Sequence, residues 1–131
     1  MRNQQITDGT SQPLTAPGAV AGELDISAAG LTTYTLRIAI LALSSATLVP
    51  RARIMIEETT AATWATQGAV ITPVALWDVQ GPIIAELART WSADELPSLC
   101  ARQQNAKLRA VVVQLDGGTP SITLTASLHT P

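Results

Sequence analysis

The sequence has no phenylalanine, one tyrosine (Tyr34), one cysteine (Cys100) and one histidine (His129). Each scarcity removes a class of chemistry. A lone cysteine forms no internal disulfide and supplies no cysteine-based zinc site. A lone histidine, two residues from the C-terminus, gives no basis for a metal cluster or for a triad built on a well-packed imidazole. Charge is scarce too. Asp, Glu, Lys and Arg make up 14% of the chain, against about a quarter in ordinary domains. Eight basic residues against ten acidic ones give a formal charge of −2. The basic field that holds nucleic acid is therefore missing, and no nucleic-acid partner is expected. The longest apolar run, residues 38–43, falls far short of the roughly 20 residues a spanning helix needs. No membrane partner is expected. Met1-Arg2-Asn3-Gln4-Gln5 leads into polar residues with no apolar stretch behind it, which does not read as a signal peptide. The free cysteine agrees with synthesis in a reducing compartment.

What is present is apolar and β-prone. The chain has 131 residues, of which 47% are hydrophobic. That suits one domain with its own core and excludes intrinsic disorder. The apolar mass is Ala, Leu, Ile and Val beside many Thr, residues that suit pleated surfaces. Lys107 is the lone lysine and every other basic residue is arginine. Arginine is enriched at protein interfaces, although a GC-rich genome produces the same bias.

Residues 1–18 are polar, rich in Thr, Gln, Gly and Pro, and without periodicity. They read as an extended arm, frayed in isolation and laid along a neighbour in an assembly. Leu24 and Ile26 alternate with Glu23 and Asp25, a short strand. Over 31–43, Tyr34, Leu36, Ile38 and Ile40 share one face, and Thr33, Thr35, Arg37 and Ala39 the other. Pro50 interrupts the next strand, 47–58, after which Ala52, Ile54 and Ile56 oppose Arg51, Arg53, Met55 and Glu57. A short strand is expected within 69–77, then a turn over 78–82.

Over 83–106 the pattern changes. Ile83, Ile84, Leu87 and Trp91 fall at helical offsets, and Ser92-Ala93-Asp94-Glu95 has the form of a capping box. A short helix over 93–103 is expected, or else a long loop between sheets. At the C-terminus, both faces of 108–115 are largely apolar, as in a central strand. Asp116-Gly117-Gly118-Thr119-Pro120 is a turn, and Ile122, Leu124, Ala126 and Leu128 alternate with Ser121, Thr123, Thr125 and Ser127. The pair reads as a β-hairpin over 108–128. Short strands with turns between them imply an all-β antiparallel sandwich, jelly-roll or Ig-like, as a single domain over 19–131 behind the arm.

The search for reactive groups returns little. GxGxxG, the P-loop spacing, GxSxG and HExxH are absent. Asp116-Gly117-Gly118 is explained by its turn. Glu57 and Glu58 are adjacent on a strand and point to opposite faces. Asp94 and Glu95 belong to the capping pattern. Cys100 has no base to lower its pKa and reads as a buried, inert thiol. No enzyme activity, cofactor or metal is expected. The candidate interface residues are Arg51, Arg53 and Met55 on one strand face, with Trp64 and Trp91. An ordinary solvated strand face is the commoner reading of that pattern, since a methionine outside a core is only weakly informative. The tryptophans suit core packing or interface anchoring, and a sugar platform as the alternative.

The polar arm, the strand 31–43, the strand 51–58 running through Thr59, Thr60 and Thr63 to Trp64, and the closing pair around Asp116-Gly117-Gly118-Thr119-Pro120 together resemble the small β-sandwich virion proteins of tailed bacteriophages, especially capsid decoration (cement) proteins. The likeness covers most of the chain in layout and matches no diagnostic motif. It implies a virion location and a structural protein that binds the major capsid protein or another virion protein and stabilises the shell. It also implies a homo-oligomer, with a trimer favoured. A carbohydrate-binding sandwich module, or a minor tail or connector protein, is the alternative.

Overall fold

The computed structural model describes residues 2–8, 12–27, 33–59, 61, 63–92 and 105–130. Period-two alternation resolves there into nine strands: β1 (Arg2–Gln5), β2 (Gly18–Ala19), β3 (Leu24–Ser27), β4 (Thr33–Ser44), β5 (Arg51–Thr59), β6 (Ile71–Gln80), β7 (Ile83–Ser92), β8 (Asn105–Asp116) and β9 (Ser121–Thr130). Sheet A has the order β1-β9-β4-β7. Sheet B has the order β2-β8-β5-β6, and β3 also pairs with β8. Since β5 occupies one edge of β8 at Leu108, Val111 and Val112, β2 and β3 must follow each other along the opposite edge. Counted as one interrupted strand, they complete the strand order of a jelly roll. Every pairing is antiparallel.

The two sheets bury the faces that the alternation marks. Leu36, Ile38 and Ile40 of β4 and Ile122, Leu124, Ala126 and Leu128 of β9 form the inner layer of sheet A. Ala52, Ile54 and Ile56 of β5 and Leu108, Ala110 and Val112 of β8 form that of sheet B. Trp77 and Val79 of β6 and Ile83 and Leu87 of β7 pack against this core from the side.

Three expectations are corrected. The C-terminal pair is not a hairpin: β8 pairs with β5, and β9 with β4. Alternation identifies the face a strand buries and says nothing of its neighbour. Two strands with equally apolar inner faces bury both by changing sheet and facing each other. Between them Gly117 has φ 136° and Thr119 φ 53°. Second, residues 83–92 form strand β7. Positions 83, 87 and 91 are four apart, a spacing common to a helix face and a strand face. The capping-box helix over 93–103 lies outside the described residues. Third, β6 runs ten residues, from Ile71 to Gln80, leaving Gly81 and Pro82 as the whole turn.

The stretch read as an arm lies along its own sandwich. Asn3 pairs with His129 and Gln5 with Ser127. Ile6 is buried, the amide of Ala126 donates to Thr7 Oγ1 (3.0 Å), and Leu14 bridges to Ile122. Burying an isoleucine side chain contributes about 1.5–3 kcal/mol. Deleting residues 1–18 is therefore expected to lower folding stability by at least about 2 kcal/mol. Thermal unfolding of the deletion variant checks this, and an unchanged midpoint would show the segment to be undocked.

Candidate functional site

Three of the connections that change sheet meet at one end of the sandwich: residues 45–50 (β4 to β5), 81–82 (β6 to β7) and 117–120 (β8 to β9). They are tied to one another. Gly118 O accepts from the amide of Ala46 (2.9 Å) and from Ser45 Oγ (2.7 Å). The amide of Gly81 donates to Pro50 O (2.9 Å). A Cβ at Gly118 would overlap the Thr47 hydroxyl and lie 3.1 Å from Thr47 Cβ, so a larger residue there would have to displace the Thr47 side chain where these two arches touch.

The middle arch, held on both sides, carries its apolar residues outward. Leu48 is 66% exposed and Val49 56%. On the sheet A strands that lead into this end, two more apolar residues are exposed. A bulge after Ile40 leaves Leu41 48% exposed, and Ile84 near the start of β7 is 83% exposed. Toward sheet B, Arg51, Arg53, Asp78, Gln80 and Gln114 line a groove of about 320 Å³. Arg53 Nε donates to Asp78 Oδ1 (2.7 Å), and this bond, then the carboxylate's charge, pushes the guanidinium pKa above its ordinary value. Arg51 lies opposite Gln80 and Asp116 and has no ion pair among the described residues.

Arg51 and Arg53 thus stand together beside the arches. Met55 follows them on β5, half-buried in an apolar row with Val111 and the exposed Leu76. Trp64 is elsewhere. It sits in the β5–β6 loop at the far end, its ring 4.2 Å from the Arg109 guanidinium and its Nε1 donating to Glu23 Oε2 (2.7 Å). Arg109 Nε in turn donates to Glu57 Oε1 (2.5 Å), and Glu57 is buried. The indole covers an ion pair that would be costly to expose half-made. Trp91 lies on β7 opposite Tyr34, and its side chain falls outside the described residues. Replacing Trp64 with alanine is expected to cost about 1–3 kcal/mol of stability, from the lost cation–π contact and the hydrogen bond to a carboxylate. Denaturant unfolding checks this.

Leu41, Leu48, Val49 and Ile84 are the residues that sequence reasoning misses. Their signals are faint. Ile83 and Ile84 are adjacent on a strand, so one of them must face outward. Leu48 and Val49 precede Pro50, which stops the strand from starting earlier. Among the described residues no group of three His, Cys, Asp or Glu side chains is placed to hold a metal ion, and no helix is long and apolar enough to cross a membrane. No protein-family profile and no curated protein sequence matches the chain.

Proposed function

We propose that the protein is a structural component of a bacteriophage virion, a capsid decoration protein that docks on the shell through its arch end and stabilises it. The observation that carries this reading is the apolar crest. Leu41, Leu48, Val49 and Ile84 are all exposed at one end, beside Arg51 and Arg53. Exposed apolar surface gathered at one place and rimmed by polar groups marks a protein-binding site, and arginine is favoured in such interfaces. The crest stands on three interlocked arches, so it meets a partner with little ordering cost. Jelly rolls recur in viral capsid proteins and in lectins, which supports the reading by fold analogy alone. The expected partners are the major capsid protein or another virion protein, with the chain acting as a homo-oligomer, a trimer favoured. The sugar-platform alternative loses ground on one point. Trp64 is engaged with Arg109 and Glu23, and Trp77 packs against the core.

The test is cosedimentation with emptied heads of the encoding phage, beside light scattering across a dilution series. Saturable binding to heads, with an oligomer that survives dilution, is expected. A monomer at every concentration that stays in the supernatant would overturn the proposal.

A further inference from the structure

The outer face of sheet A is polar and carries a different kind of site. Asn3 and Gln5 of β1, Thr125, Ser127 and His129 of β9 and Arg37 of β4 line a groove of about 230 Å³. The strand register sets them in rows. Gln5, Ser127, Arg37 and Ala88 form one row, and Asn3, His129, Thr35 and Thr90 the next. Arg37 therefore has small neighbours on both flanking strands, and its guanidinium is exposed.

Arg37 differs from the paired cations of the other sheet. Arg53 holds Asp78, Lys107 holds Asp25, and Arg109 holds Glu57. Arg37 has no ion pair among the described residues. Glu86, the one acid lining the groove, lies diagonally across the β4–β7 pairing and outside ion-pair distance. Ser127 Oγ lies 3.0 Å from His129 Nε2. Burial, then the Arg37 charge, pushes the imidazole pKa below its ordinary value, which keeps it neutral at pH 7.

The groove thus offers one full positive charge at its centre. Around it stand two amides, hydroxyls and a neutral imidazole, groups that both donate and accept, with the Glu86 carboxylate set diagonally to one side as an acceptor for ligand hydroxyls. That is the complement of a compact ligand with one carboxylate and several hydroxyls. A guanidinium takes a carboxylate through two parallel hydrogen bonds. An acidic peptide would call for a series of cations along its path, and the groove has one. We propose that this groove binds the carboxylate-bearing unit of an acidic glycan, a uronic or sialic acid residue.

The inference is independent of the arch end, which lies on other residues. The test is a titration of the full chain, followed by amide NMR shifts, with glucuronic acid and N-acetylneuraminic acid beside glucose and acetate. At least one acidic sugar is expected to shift the amides of Arg37, Ser127 and His129. Glucose, which lacks the carboxylate and its charged hydrogen bonds, and acetate, which lacks the hydroxyls and their several neutral ones, are each expected to bind at least about tenfold more weakly. Arg37→Gln is expected to lower affinity for the acidic sugar by a similar factor without moving thermal unfolding, since the side chain is exposed. Leu48→Asp is expected to leave sugar binding unchanged. Absence of shifts, glucose or acetate matching the acidic sugars, or an Arg37→Gln variant that binds like the parent would each overturn the proposal.

Discussion

Ile54→Ala is expected to cost about 2–5 kcal/mol of folding stability. Ile54 is fully buried at the middle of β5, between Val112 of β8 and Trp77 of β6. Its side chain points across the sandwich toward the inner layer of sheet A. Both flanking strands are fixed by their hydrogen-bond ladders, so the space left by the missing atoms cannot close. Small domains hold about 5–15 kcal/mol in all, so this one change removes a large share. Met55→Ala is the internal control. It lies one residue along the same strand on the outer face and is half-buried, so a loss of about 1 kcal/mol is expected. Urea unfolding of the two variants gives the comparison. Equal losses would mean that the inward and outward faces of β5 are wrongly assigned.

The second large effect concerns docking. Leu48 and Val49 are both more than half exposed, so the double variant Leu48→Asp, Val49→Asp should fold with nearly unchanged stability. Burying each side chain against a partner contributes about 1.5–3 kcal/mol. If the arch end docks on a shell as proposed, losing both, and placing two carboxylates in an apolar contact, should weaken that binding at least about a hundredfold. Cosedimentation with emptied heads reads this directly. Undiminished binding by a folded double variant would remove the arch end from the interface.

Much of the fold is legible because alternation is a local property. The buried faces of β4, β5 and β9 follow residue by residue from Leu36, Ile54, Leu124, Ala126 and their polar neighbours. Partner choice is not local. Nothing in 108–128 distinguishes a hairpin from two strands facing each other across a core, because both arrangements bury the same side chains. Strand β7 is obscured by its own spacing, since residues four apart align in either geometry. The interface candidates divide along the same line. Arg51 and Arg53 are found together because they share a strand face. Trp64 cannot be placed from sequence, because its partners, Glu23 and Arg109, lie far from it along the chain. The exposed crest is hidden because Leu48 and Val49 look like strand residues until Pro50 is seen to hold them outside the ladder.

Of the nine strands, β9 leaves the ribosome last, yet it lies inside sheet A, with β1 on one edge and β4 on the other. Until it emerges, β1 has no strand partner among the described residues, and β4 keeps an open edge. Such pairings between distant parts of a chain form slowly. Sheet A therefore closes only after the other eight strands have been synthesised. The nascent chain carries unpaired strand edges through that interval, the state in which β-proteins are most prone to associate wrongly.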